Sequence, residues 1–367
     1  MWKYGFHLTA AALSRLFENP EMTLRAIRNL ALVAALAVPL AAPLALGAQS
    51  GQYHVTNHFK LGGEGSWDYL AFDTAGNRLF IARENRVMVV NPSNGKLIGE
   101  IKGLNRAHGI AFAYRAGHGF VTSGEDSTVY MFDLKTLRVL GKTVAAVDDD
   151  AILYDNASNR IFTMNGDAGS SSVIDPVTGK LIANIPLGGK PEFGVSAGNG
   201  KVYANIEDKS QVVEIDTHTM KVVRRWSLAP CESPSGLAID RAHMRLFSGC
   251  HSKVMAISDI KRGAVVGTVP IGSGVDANKF DPGTGLAFSS NGDGTITVAH
   301  ETGPGTFAVL QTIKTMPAAR TMTFDPRTHK LYTVSAEFGP APAQVAGAPR
   351  RRPPVVPGSF VLIEMSR

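Results

Sequence analysis

One aromatic residue returns seven times along this chain at nearly constant spacing. In five copies an apolar residue and an Asp precede it, as in Phe72-Asp73 before Phe80, with the Asp seven positions ahead of the aromatic. A fixed period of this length is the sequence signature of a repeat architecture. The separations are 40, 42, 41, 44, 41 and 44 residues between the aromatics Phe80, Phe120, Phe162, Tyr203, Phe247, Phe288 and Tyr332.

Each repeat also carries a hairpin signal after the aromatic. Ile174-Asp175 is followed by Thr178-Gly179-Lys180, and Ile215-Asp216 is followed by Thr219-Met220-Lys221. Turn residues between alternating apolar runs indicate antiparallel hairpins, so each period holds four short strands. The sequence therefore predicts an all-β fold, a seven-bladed β-propeller of four-stranded blades.

The chain ends indicate a closed ring. The last repeat begins at Arg320, is interrupted by a Pro-, Ala- and Arg-rich loop insert at about 339–357, and then lacks a fourth strand. A strand-like segment at about 53–61 stands ahead of the first repeat. An open solenoid would need polar capping repeats, whereas pairing this N-terminal strand with the last blade removes two exposed sheet edges. We expect that pairing.

The N-terminus reads as an export signal. Arg25 and Arg28 precede an apolar run from Leu30 to Leu46 that ends in small residues, which predicts a signal peptide over 1–48. Met22 would serve equally as the start of such a signal. The run is broken by two prolines and is shorter than the ~20 residues of a membrane-spanning helix, so we expect no stable span after cleavage. The mature propeller is then 49–367, in the periplasm or secreted.

The placement of the two cysteines predicts a covalent link within one blade. Cys231 lies in the loop entering the fifth blade and Cys250 ends the second strand of that blade, so both fall on one face. In an oxidising compartment this placement predicts a disulfide, with two free thiols as the alternative.

Lys and Arg are dispersed apart from Arg350–Arg352, which makes nucleic acid an unlikely partner despite the net charge of +6.

Several short motifs carry a family resemblance that runs from about residue 53 to the C-terminus. They include Trp67-Asp68-Tyr69-Leu70, His108-Gly109, Gly189-Lys190-Pro191-Glu192, Leu228-Ala229-Pro230-Cys231-Glu232 and Leu331-Tyr332-Thr333-Val334. From these motifs the chain resembles the YncE-like family of bacterial periplasmic propellers built from YVTN-type repeats. The resemblance implies the fold and the periplasmic location, and it transfers no catalytic signature.

The propeller topology predicts where ligand-binding residues lie. Loops that enter the innermost strands share a face with loops that join second to third strands. Polar residues nearest the innermost strands should therefore converge on the mouth of the central channel. One residue comes from each blade, and the predicted ligand-binding set is Asp68, His108, Asp150, Glu192, Glu232, Asp276 and Arg320.

The chemistry of this set leaves several interpretations open. Converging carboxylates repel one another, which raises some pKa values or recruits a cation, and oxygen-rich clusters suit Ca²⁺ or Mg²⁺. The spacing matches no established metal motif, and His108 could equally be a hydrogen-bonded structural histidine. Asp and Asn also occupy turns for backbone reasons. The chain has no nucleophile elbow, phosphate loop, dinucleotide fingerprint, zinc signature or haem-attachment motif.

Three classes of function remain. The first is a binding or scaffolding module that presents its polar loop face to a small ligand or an envelope protein. The second is a metal-assisted hydrolase or lyase of the lactonase kind that uses the acidic channel mouth, an analogy from the fold alone. The third is a surface or nucleic-acid binder acting through Arg350–Arg352. We favour the first, expect a monomer, and assign no catalytic residue.

Overall fold

The computed structural model describes residues 51–342 and 353–367. The predicted signal peptide and the middle of the predicted loop insert lie outside these residues. Within them, twenty-eight strands form seven four-stranded antiparallel sheets, and the two helical elements are short 3-10 turns at Tyr114–Ala116 and Glu207–Lys209. No helix of this part of the chain is long and apolar enough to span a membrane. The seven-bladed β-propeller predicted from the repeat is confirmed.

Strands are numbered in chain order, and β1 (His54–Lys60) precedes the first complete blade. Each later blade is given from the channel outwards. Blade 1 contains β2 (Leu70–Asp73), β3 (Arg78–Arg83), β4 (Arg86–Val90) and β5 (Leu97–Lys102). Blade 2 contains β6 (Ala107–Ala113), β7 (His118–Ser123), β8 (Thr128–Asp133) and β9 (Val139–Val144). Blade 3 contains β10 (Asp149–Asp155), β11 (Arg160–Asn165), β12 (Ser170–Ile174) and β13 (Leu181–Pro186).

The next three blades repeat this order. Blade 4 contains β14 (Pro191–Ser196), β15 (Lys201–Ile206), β16 (Gln211–Asp216) and β17 (Lys221–Ser227). Blade 5 contains β18 (Pro234–Asp240), β19 (Arg245–Cys250), β20 (Val254–Asp259) and β21 (Ala264–Pro270). Blade 6 contains β22 (Val275–Asp281), β23 (Leu286–Asn291), β24 (Thr295–Gly303) and β25 (Thr306–Lys314).

Blade 7 joins the two ends of the chain. Its inner strands are β26 (Met322–Asp325), β27 (Lys330–Ser335) and β28 (Val361–Ser366), and β1 is its outermost strand. Strand β1 pairs antiparallel with β28, from His54 opposite Ser366 to Lys60 opposite Val361. Innermost β26 contacts β2 and β22, which closes the ring. The predicted closure by the N-terminal strand is confirmed.

The periodic aromatics form the core between blades. Each lies in the second strand of its blade, and none is more than 4% exposed. Phe80, for example, packs with Phe112 and Phe132 of blade 2, with ring centroids 4.9 and 5.9 Å away. Burying one such ring contributes about 2 to 3 kcal/mol. The period is visible in the sequence because every blade needs one such side chain against its neighbour.

The Asp of each repeat ends an innermost strand, at the face opposite the predicted channel mouth. We call Asp73, Asp155, Asp240, Asp281 and Asp325 the turn aspartates. Each is buried, and each accepts a hydrogen bond from a backbone N–H two or three residues later. Three also contact the next blade, through Tyr114, Ser196 and His329. These aspartates therefore fix both the turn and the packing of neighbouring blades.

Two further features complete the ring. Cys231 and Cys250 form the predicted disulfide, with Cα atoms 5.6 Å apart and both residues buried. In the last blade, Phe338 pairs with Val355 and the Gly339 N–H donates to the Pro354 carbonyl at 2.8 Å. The described ends of the loop insert are thus held together at its base.

Candidate functional site

The strand register places one residue of each blade at the channel mouth. In every blade, the residue after the core aromatic pairs with an inner-strand residue, such as Ile81 with Leu70 or Val121 with Ile110. The position two residues before that inner-strand residue is equivalent in all seven blades. We call the side chains there the mouth residues, and they are Asp68, His108, Asp150, Glu192, Ser235, Asp276 and Arg320.

Six of these seven positions were in the predicted set, and the fifth blade differs. Its mouth residue is Ser235, whereas Glu232 lies three residues earlier and is exposed. The reason is the register of β18, which begins with Pro234 opposite Cys250. Choosing the carboxylate nearest the strand overlooked this register. Counting two residues back from Leu237, the partner of Ser248, identifies the serine from sequence.

Hydrogen bonds between neighbouring blades hold the backbone of the mouth in place. Main-chain carbonyls of five mouth residues accept a hydrogen bond from a polar side chain of the preceding blade. Such bonds satisfy buried backbone groups and hold the mouth residues in fixed positions. The pairs are Thr321 to Asp68 (2.8 Å), Thr122 to Asp150 (2.6 Å), Asn205 to Ser235 (2.9 Å), Ser235 to Asp276 (3.4 Å) and Ser290 to Arg320.

One side of the mouth brings together Asp68, His108 and Asp150, from three consecutive blades. His108 Nδ1 hydrogen-bonds with Asp68 Oδ2 and lies 3.3 Å from Asp150 Oδ1. Only 8% of the His108 side chain is exposed. Its Nε2 atom is buried without a hydrogen-bond partner, and so is Asp150 Oδ1. We call these three residues the histidine–carboxylate group.

The other side of the mouth holds Glu192, Asp276 and Arg320. Burial, and after it the neighbouring Glu207 carboxyl, raises the pKa of Glu192 to about 8. Burial also raises the pKa of Asp276 to about 6, although Arg320 Nε lies 3.4 Å from Asp276 Oδ2 and opposes the rise. Across the mouth, burial and then Asp68 raise the pKa of Asp150 well above its usual range. These three carboxyls therefore favour a proton or a cation beside them.

Three further side chains form a floor beneath the mouth. Tyr69 of blade 1 stacks on Phe193 of blade 4, with ring centroids 5.6 Å apart. Blades 1 and 4 lie on opposite sides of a seven-membered ring, so the two rings meet across the channel. Lys279 Nζ lies 5.0 Å from the Phe193 centroid, and burial lowers the Lys279 pKa to about 8. We call the mouth residues together with this floor the cup.

Sequence reasoning missed the floor, although a signal for two of its members was present. Tyr69 and Phe193 each directly follow a mouth residue. The other five blades have small residues at that position, namely Gly109, Ala151, Gly236, Ala277 and Thr321. Two large rings among small neighbours have room to extend into the channel. Lys279 carried no comparable pattern.

A second concave region lies at the opposite face, between blades 5 and 6. This cleft has a volume of about 900 Å³, and Phe247, Phe280 and Phe307 are among its lining residues. Asp240 and His243, which also line it, are paired with each other at 2.6 Å. None of the mouth residues lines this cleft. Convergent polar groups with perturbed pKa values lie in the cup, and they make the cup the stronger candidate site.

No protein-family model matches the chain, and no curated protein matches it. Function is therefore argued from the cup itself.

Proposed function

We propose that this chain is a binding module that holds a small, positively charged ligand in the cup. The observation that carries the proposal is the convergence of Asp68, Asp150, Glu192 and Asp276 on one anchored channel mouth. A cationic group placed among them relieves their mutual repulsion and replaces a bound proton. Only Arg320 among the mouth residues opposes this charge.

The cup also limits the shape of the ligand. The rings of Tyr69 and Phe193 close the channel below the mouth, so the ligand is compact and enters from one face. Lys279 at the floor and Arg320 on one wall carry N–H groups that can donate hydrogen bonds to a ligand. A ligand with an ammonium or guanidinium group at one end and hydrogen-bond acceptors at the other matches this arrangement.

A thermal-shift screen on residues 49–367 tests the proposal, because a ligand that binds only the folded state raises the melting temperature. The panel contains small amines, amino acids and guanidino compounds, with neutral and anionic analogues, in the presence of EDTA. Hits are titrated by calorimetry against the double variant Glu192→Gln/Asp276→Asn. The matched control is Glu232→Gln, which removes an exposed carboxylate outside the mouth on the same face.

The proposal expects cationic hits whose affinity falls at least about tenfold in the double variant, or roughly 1.4 kcal/mol. The control should bind as the wild type does. Hits confined to neutral or anionic compounds, or equal binding by the double variant, would contradict it.

We further propose that the chain belongs to the YncE-like family and works as a monomer in the periplasm or outside the cell. The seven-bladed ring supports this family, and the buried Cys231–Cys250 disulfide supports an oxidising compartment. N-terminal sequencing of protein recovered from the periplasm should read from near Gln49. A chain that retains Leu30 in a membrane fraction would contradict the export proposal.

A metal-assisted hydrolase is the second candidate, favoured by the histidine–carboxylate group. Three side chains with nitrogen and oxygen donors on one wall of a cup resemble the protein part of a catalytic metal site. Lactone hydrolysis that appears with an added divalent ion and disappears in Asp150→Asn would support it. Hydrolysis unaffected by that substitution would not.

A further inference from the structure

We propose that the histidine–carboxylate group binds one divalent transition-metal ion of the zinc class, with its open coordination positions facing the cup. The site extends the proposed function, since the ion would occupy one wall of the same cup. It stands on three observations, namely the geometry of the donors, their missing partners and the chemistry of the donor set.

The donors already lie close to metal-binding geometry. One ligand atom from each of Asp68, His108 and Asp150 lies within 4.8 Å of the other two. Ligands about 2.0 to 2.2 Å from a zinc ion stand roughly 3 to 4 Å from one another, so small side-chain rotations suffice. The carbonyls of Asp68 and Asp150 are each held by a threonine hydroxyl of the preceding blade, at 2.8 and 2.6 Å. Their backbones are therefore fixed around the site.

The hydrogen bonding of the group is incomplete as it stands. Asp150 Oδ1 is buried without a hydrogen-bond partner, although it faces His108 Nδ1 at 3.3 Å. His108 Nε2 is also buried without a partner, beside Gly124, where an added Cβ would lie 2.9 Å from it. In the metal-free group Nδ1–H donates its hydrogen bond to the Asp68 carboxylate, so the imidazole proton is on Nδ1. An ion bound between the two carboxylates would displace this proton, and the Nδ1 lone pair would then face the ion.

The donor set selects the kind of ion. Ca²⁺ takes six to eight oxygen ligands and Mg²⁺ keeps most of its waters, whereas imidazole suits zinc and its transition-metal neighbours. His108 thus argues against Ca²⁺ or Mg²⁺, which the sequence analysis left open as ions for this cluster. Two carboxylates balance the charge of a divalent ion, and three protein ligands leave a position for water or a bound molecule. That position faces the cup.

The test is zinc binding by residues 49–367 after treatment with EDTA. Protein is dialysed against Zn²⁺, and in separate samples against Ca²⁺ or Mg²⁺, and bound metal is measured by elemental analysis. We expect about one zinc per chain and no stoichiometric calcium or magnesium. His108→Gln and Asp150→Asn should lose this zinc. Glu232→Gln, on the same face, and Glu192→Gln, on the other wall of the cup, should keep it.

A second measurement does not depend on the folding of any variant. An anomalous difference map from zinc-soaked wild-type crystals should show a peak between Asp68, His108 and Asp150. Zinc retained by both ligand variants, no zinc on the wild type, or a peak elsewhere would overturn the site. Because the ligand screen runs in EDTA, cationic hits there would support the binding module even if the protein binds no zinc. Zinc binding without cationic hits would support the metal site and contradict the binding module.

Discussion

The innermost strands carry aspartates at both of their ends, and the protein uses the two sets in opposite ways. At one face, the turn aspartates are buried and accept several hydrogen bonds each, as Asp155 does from Ser158 and from Ser196 of the next blade. At the other face, Asp150 of the same strand β10 has a buried oxygen without a partner. A carboxylate whose acceptor sites are filled by its own protein stabilises the fold, whereas one left unpartnered is available to a ligand.

The two sets of positions also differ in how far their residues repeat from blade to blade. The turn aspartates recur because five blades solve the same turn in the same way. The mouth positions are equivalent in space and yet hold five residue types, Asp, His, Glu, Ser and Arg. The chain repeats the turn aspartates because the fold requires them. The side chains at the mouth vary because the fold does not dictate them.

The largest expected effect is on the structural side of the comparison. Asp155→Ala should lower the free energy of unfolding by about 3 kcal/mol, because it removes three hydrogen bonds to a buried carboxylate, one of which is the link to blade 4. Urea denaturation measures the change. Asp175→Ala is the control, since this carboxylate serves a more exposed turn of the same blade and should cost about 1 kcal/mol. Equal losses would show that burial does not distinguish the two.

An effect of opposite sign is expected at the floor of the cup. Lys279→Met should raise the free energy of unfolding by roughly 2 kcal/mol at pH 7, because the wild type holds a charged amine where burial disfavours it. The folded-state pKa of about 8 lies below the ordinary lysine pKa of 10.5, so both states are protonated below pH 8 and the wild type bears the whole penalty. The difference should shrink above pH 8 and vanish near pH 10.5.

Denaturation of both proteins across this pH range measures the Lys279 effect. Lys201→Met is the control, because Lys201 lies 2.7 Å from Asp216 and its pKa is raised, first by that hydrogen bond. This variant should be no more stable than the wild type. A destabilised Lys279→Met protein at pH 7 would mean that the contact with Phe193 outweighs the cost of burial.

The smallest effect is expected at the mouth itself. Glu192→Gln should raise the free energy of unfolding by about 1 kcal/mol at pH 8, since the amide removes an acid whose charged form is disfavoured there. The folded-state pKa of about 8 exceeds the ordinary glutamate pKa of 4.5, so the wild-type penalty grows as pH rises between these values. The two proteins should become equal near pH 4.5. Glu232→Gln, which replaces an exposed carboxylate outside the mouth, is the control. A clear loss of stability in Glu192→Gln would make Glu192 structural.

The sequence predicted the fold because the same physical need recurs in each blade. One core aromatic per blade set the period, one buried Asp per turn marked the strand ends, and the incomplete last repeat required an outside strand. The disulfide followed from the predicted oxidising compartment and from the strand order, which places Cys231 and Cys250 on one face. Features that depend on strand register, or on contacts across the ring, were harder to predict from the sequence. Ser235 required the exact pairing of β18, and the contact of Tyr69 with Phe193 joins blades that sequence does not make neighbours.

The pairing of β1 with β28 has a consequence for how the protein is made. Its partners, such as His54 and Ser366, stand at opposite ends of the described chain, so the last sheet forms only after β28 has been synthesised. Contacts of such long sequence separation form late and slow folding. A chain cut short before β28 leaves β1 without a partner and β27 as an open edge, a template for aggregation. Closure of the ring thus requires a chain that already includes β28.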